Sequence, residues 1–246
     1  MPWVMAMVCL IVASLAASSA RAQPLVFDLS NHLIAITTGF SGTELLLFGA
    51  TEGEGDVVVT LRGPETTAVV RKKSRVAGIW INTERMSFTG VPAFYRVAAS
   101  RPVDQIAPPP LRTRHQIGFE NLRLVPPSGA PADQVAVFRA GLLRNQEARA
   151  LYASEIGRVT FLGPRLFRTR VVLPANVPPG AYTVEVLLLR NGQVIAAQTT
   201  PMFVSKIGLG AEVYDFAHRH AALYGILAIL LAVLSGWGAG VAFRKA

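Results

Sequence analysis

The chain has 246 residues, of which 51% are hydrophobic and only 16% charged, and it carries a formal net charge of +9. Its single cysteine, Cys9, excludes a disulfide framework, cysteine-ligated zinc and iron–sulfur clusters, so stability must come from a packed core. The basic excess is spread along the chain and twenty of its 24 cations are Arg, so no nucleic-acid partner is expected despite the high pI.

Residues 3–17 are apolar and run into Ser18-Ser19-Ala20-Arg21-Ala22, whose Ala20-x-Ala22 ending suits signal peptidase. A signal peptide over residues 1–22 is therefore expected, although no Lys or Arg precedes the apolar stretch; an uncleaved anchor is the alternative. Cys9 lies inside this segment, so a cleaved chain has no thiol.

The segment 23–105 reads as a periplasmic β-sandwich domain. Short stretches rich in β-branched or aromatic residues, at 33–36, 44–48, 56–61, 66–71, 78–81 and 93–98, are separated by Gly, Pro or acidic turns. In residues 56–62, Val57, Val59 and Leu61 share one face. Spacing of this kind implies an antiparallel, immunoglobulin-like sandwich, with Trp80 as a core aromatic. The densest basic cluster, Arg71-Lys72-Lys73-Ser74-Arg75, is a candidate anion or lipid contact through Arg71, Lys72, Lys73 and Arg75; a solvated strand end is the plainer reading. Glu52, Glu54 and Asp56 lack the ligand run of a calcium loop and read as a polar hairpin.

Prolines at 102, 108–110, 126–127 and 131 mark residues 106–130 as a linker carrying a short helix, on which Leu111, His115, Phe119 and Leu122 recur at three or four. Segment 131–205 is expected to hold a helix capped by Asp133, with Val135, Phe138, Leu142, Leu143 and Leu151 in its apolar stripe, and then a second β-domain. Residues 167–173 and 182–189 alternate, Asn191-Gly192 signals a type I′ hairpin, and residues 194–199 are expected to pair back. These strands form a second small sandwich or complete the first; two domains is the expectation.

Residues 206–220 form a juxtamembrane segment, expected to run as helix into the next without a break. Residues 221–243 contain no charge, and at 1.5 Å per residue they reach about 34 Å, enough to cross a hydrocarbon core of about 30 Å. A three-residue tail, 244–246, follows. Ala228, Ala232, Gly236 and Gly240 recur at spacings of four and draw a ridge of small residues suited to helix packing. Basic residues flank both ends of the span, so orientation rests on the signal segment, which puts the N-terminal domains outside and the C-terminus in the cytoplasm.

Several strings taken together resemble the alphaproteobacterial putative transmembrane protein family. They are Gly78-Ile79-Trp80-Ile81-Asn82, Pro92-Ala93-Phe94-Tyr95, the run from Phe161 to Arg168, the Leu173 to Tyr182 corner, Lys206-Ile207-Gly208-Leu209, Tyr214 to His218, and Leu223-Tyr224-Gly225-Ile226. The resemblance implies an exported single-span protein with no catalytic residues to carry over, and a setting beside sulfite or sulfonate exporter-type permeases.

No catalytic, cofactor or metal site is expected from the residues themselves. His218 and His220 stand about 200° apart on a helix, His32 and His115 stand alone, and Gly39-Phe40-Ser41-Gly42 is one residue short of a nucleophile elbow. The leading expectation is therefore a single-pass inner-membrane protein, not an enzyme, whose β-sandwich domains bind or brace another envelope component. Its expected partners are the lipid bilayer and an integral membrane protein such as a transporter. The alternative is a small-anion-binding module lined by Arg71, Arg75, Arg165 or Arg168, and an envelope hydrolase is the least favoured reading.

Overall fold

Alternation along the strands turns into two packed sheets. The structure, a computed structural model, describes residues 24–76 and 78–243; the expected signal peptide, its cleavage after Ala22, and the tail lie outside the described residues. Strands β1 (Leu25–Leu29), β3 (Gly42–Thr51), β10 (Leu166–Pro174) and β9 (Thr160–Phe161) form a sheet in the order β1-β3-β10-β9. On β10, Phe167, Thr169, Val171 and Leu173 are buried while Leu166, Arg168 and Val172 are exposed, the signature of a half-covered sheet.

The second sheet has the order β2-β12-β11-β4-β7-β8, built from β2 (Leu33–Ile36), β12 (Gln193–Lys206), β11 (Gly180–Arg190), β4 (Asp56–Arg62), β7 (Tyr95–Ala99) and β8 (Gly157–Arg158). Residues 57–61 of β4 are all buried, so both faces of this central strand are covered. Val57, Val59 and Leu61 share the face packed into the sandwich core, while Thr60 and Arg62 face a helical segment described below.

The expected partition into a first domain at 23–105 and a second at 131–205 does not divide this core. β10 pairs with β3 along its whole length, β11 pairs with β4, and β12 runs parallel to β2. The later strands fill the sheets that the earlier ones leave open, which completes one sandwich. Residues 106–130 are correspondingly no linker between bodies. Helices α1 (Val103–Ile106) and α2 (Pro109–His115) and a 3-10 turn at Phe119–Asn121 lie over the six-stranded sheet, burying Ile106, Ala107, Ile117, Leu122 and Leu124. Gln116, in the left-handed region at φ 51°, ends α2 and splits the single helix expected there.

Helix α3 (Ala132–Ala148) buries Phe138 and Leu142 as its stripe predicts. Its N-cap is Pro131, so Asp133 sits in the first turn, where its charge favours the helix dipole, and does not cap. At the hairpin between β11 and β12, Asn191 and Gly192 have φ of 51° and 74°, the positive pair a type I′ turn requires.

Strands β5 (Glu65–Val76) and β6 (Ile79–Pro92) form a two-stranded sheet of their own. It prolongs the β4–β7 pair: Arg62 faces Tyr95, the amides of Gly63 and Ala93 donate to Phe94 and Pro64, each at 2.8 Å, and Glu65 then faces Pro92. Val70, Met86, Phe88 and Val91 bury its root. Trp80 is not a core residue: it stands near the hairpin's free end with 66% of its surface exposed, because the ribbon there has no second layer.

β12 ends at Lys206, and helix α4 (Leu209–Arg219) follows. The juxtamembrane helix does not run unbroken into the span. His220, at φ −128° and ψ 49°, interrupts it before helix α5 (Ala221–Phe243). The rings of Phe216, His220 and Tyr224 pack across this joint, with centroids 5.6 Å and 6.5 Å apart.

Candidate functional site

Two surfaces singled out by the sequence remain exposed. The first is α5, whose stretch Ala221–Gly240 is long and apolar enough to cross a membrane and has none of its residues buried inside the protein. Within it the Ser235 hydroxyl donates to the Leu231 carbonyl at 2.6 Å, so this polar group is satisfied inside the helix, as a lipid environment requires. Ala228, Ala232, Gly236 and Gly240 are all exposed, and a Cβ placed on Gly236 or Gly240 would meet nothing within 4 Å.

The second is the free half of the β5–β6 hairpin, where Arg71, Lys72, Lys73 and Arg75 sit on one strand. Lys72 pairs with Glu84 on β6 at 3.1 Å, and Arg75 Nε donates to the Gly78 carbonyl at 3.3 Å. Arg71 stands opposite Arg85, and Arg75 opposite Trp80.

The cationic residues suggested for an anion pocket are not gathered. Arg71 and Arg75 are on the hairpin, whereas Arg168 is on β10 beside β9 and Arg165 precedes β10. None of the four lines the open groove of about 510 Å³ beside Asp56 and Arg101, or the cleft of about 180 Å³ beside Arg96 and Arg170. The acidic loop is closed by arginines. Arg101 Nε and Ser100 Oγ donate to Asp56 at 2.8 Å and 3.0 Å, and Arg190 donates twice to the Glu54 carbonyl. The Arg101 hydrogen bond holds the Asp56 carboxyl below its usual value, against the opposing effect of burial.

The densest ionisable cluster was not legible in the sequence. Arg62 on β4 donates to Glu185 Oε2 at 3.2 Å and to the His115 carbonyl at 2.5 Å, and His115 Nδ1 lies 3.5 Å from Glu185 Oε1. Beside it, the Tyr95 hydroxyl donates to the Gln116 carbonyl at 2.6 Å and accepts from the Gly118 amide at 3.0 Å. Each partner faces the helical segment, so the cluster works as a clamp between residues 103–124 and the sheet. Burial pushes the hydroxyls of Tyr95, Tyr152 and Tyr182 well above the usual tyrosine range. Among the described residues, no group of three or more His, Cys, Asp and Glu is placed to hold a metal ion.

Fold and surfaces together define a mainly β domain joined to a C-terminal apolar helix of membrane-crossing length. The chain belongs to the family described as Putative transmembrane protein (Alph_Pro_TM), which it matches over residues 24–245. No curated protein shows significant sequence similarity to it. Among solved structures, one chain from work on T cell specificity and activation by the bacterial superantigen toxic shock syndrome toxin-1 matches with 6% identity. That match covers 74% of this chain and 99% of the other at a TM-score of 0.25, too distant to inform fold or role.

Proposed function

We propose that this chain is a single-pass inner-membrane protein whose periplasmic sandwich binds or braces an integral membrane partner, a multi-span transporter in the first instance. The observation that supports it most is that no residue of the Ala221–Gly240 stretch of α5 is buried within its own chain, while Ala228, Ala232, Gly236 and Gly240 lie exposed along one ridge. A small-residue ridge lets a second helix approach closely enough for backbone contact and dispersion to replace lipid. The sandwich then acts as a rigid body beside the partner. We read that sandwich as immunoglobulin-like, since Tyr182 turns its hydroxyl back to the Pro178 carbonyl at 2.6 Å, the corner found in such domains.

Purification in mild detergent of the wild type and of a Gly236→Leu/Gly240→Leu variant tests this reading. The variant is expected to lose one integral membrane protein from its co-purifying set while staying in the membrane. Identical sets would show that the ridge holds no partner.

A further inference from the structure

At the free end of the β5–β6 hairpin, Ile79 and Trp80 each expose 66% of their surface, Val76 47% and Ile81 44%. Alternate residues of a strand point to opposite faces, so a consecutive Ile-Trp-Ile run in a bare ribbon presents apolar surface on both sides at once. An exposed apolar tip of this kind marks a contact site.

The chemistry just behind the tip says what is contacted. Between residues 71 and 85 lie five basic residues and one acidic residue, Glu84. Lys72 takes up that carboxylate at 3.1 Å. Arg71 and Arg85 face each other directly across the ladder, a like-charge pairing that costs stability in water and is relieved against a polyanionic surface. Arg75 stands opposite Trp80, so the cationic collar begins one residue behind Val76. At 3.3 Å per residue the collar extends to roughly 17 Å behind the tip. An apolar end carrying Trp, followed by long cationic side chains, matches the order of acyl boundary and phosphate layer at a bilayer surface.

Placement agrees. In the six-stranded sheet Arg62, next to the hairpin root, pairs with Thr183, and Gly180 at the same end of β11 pairs with Val204, two residues before β12 leaves for the span. Pro64 at the root lies against Gly180, where an added Cβ would meet Pro64 Cγ at 2.8 Å. With strands about 4.8 Å apart, the root and the exit towards α4 and α5 are on the order of 10 Å apart. The exposed stretch of β5 beyond Val70 adds roughly 20 Å of reach.

We propose that the tip formed by Val76, Ile79, Trp80 and Ile81 inserts into the interface of the bilayer that α5 crosses, with Arg71, Lys73, Arg75 and Arg85 on anionic lipid headgroups. The contact is independent of the partner proposed above and of which side of the membrane the sandwich occupies. It gives the sandwich a second point of attachment and fixes its tilt.

The test uses the full chain with Cys9→Ser and Ile81→Cys, labelled with an environment-sensitive fluorophore and embedded in nanodiscs containing nitroxide-bearing lipid. Discs of phosphatidylcholine mixed with phosphatidylglycerol are expected to quench the label strongly, and discs of phosphatidylcholine alone weakly. A label at Val172→Cys, on the exposed face of β10, is expected to stay unquenched in both. Adding Arg71→Glu, Lys73→Glu and Arg75→Glu should lower the bound fraction at least fivefold, the effect of about one headgroup contact, without changing thermal unfolding. A label at position 81 that remains in water in both discs, or is quenched equally by both, overturns the proposal. So does a photo-crosslinker at position 80 that captures protein and not lipid in native membranes.

Discussion

Gly49 on β3 and Phe167 on β10 are far apart in sequence and directly opposed in the four-stranded sheet. A Cβ built on Gly49 would lie 2.5 Å from Phe167 Cζ, 2.5 Å from the Val26 carbonyl oxygen and 2.8 Å from Phe27 Cβ. Two of these neighbours belong to β1, whose backbone moves only with its whole strand. Gly49→Ala is therefore expected to destabilise the fold by about 2–3 kcal/mol through overpacking. Phe167 is 1% exposed, and its ring packs on Phe161 at 6.1 Å. Phe167→Leu should cost about 1–2 kcal/mol, less than a full truncation to Ala. Shortening that side chain removes one of the three clashes, so the double variant should be about 1 kcal/mol more stable than the sum of the two losses. Urea unfolding of the detergent-solubilised chain, followed by circular dichroism, measures all three. Additivity within about 0.5 kcal/mol would refute the reasoning, because residues in separate domains do not couple.

Other outcomes follow from the buried polar groups. Tyr182→Phe removes the hydrogen bond to the Pro178 carbonyl at a site 1% exposed and should cost about 1 kcal/mol in the same assay. Glu185→Ala leaves the Arg62 guanidinium without its carboxylate; hydrogen exchange should show faster exchange over residues 103–124, with the four-stranded sheet unaffected. Tyr95, Tyr152 and Tyr182 have raised values in the folded chain, so the unfolded chain releases these protons first as pH rises. Their stabilisation is complete below about pH 10 and is lost above it, and an alkaline titration should show stability falling there. Asp56 has the opposite sign: its folded value is lowered, so its contribution is present above its unfolded value of about 4 and is lost on acidification. Arg101→Ala should flatten that acid limb.

Local pattern was legible where one face of a strand is covered. Alternation located β4, β10 and β11 to within a residue or two, and Asn191-Gly192 located the hairpin. Pairing was not legible, because nothing local in residues 166–174 says that their partner is β3 across the proline-rich segment. The prolines that suggested a boundary instead set the bends of α1 and α2 over the sheet. Trp80 misled because a strand's sequence carries its hydrophobicity but not whether a second layer lies above it. The break at His220 is equally silent, since residues on both sides form helix. The Arg62, His115 and Glu185 clamp joins three distant segments that only the fold brings together.

Alkaline carbonate extraction of the full chain beside a chain ending at residue 208 tests the central account most directly. The full chain should stay in the membrane pellet. The shorter chain, which keeps β1 through β12 but lacks α4 and α5, should be released as a folded, protease-resistant domain. Release of the full chain, or retention of the shortened one, would contradict an anchor formed by α5 alone.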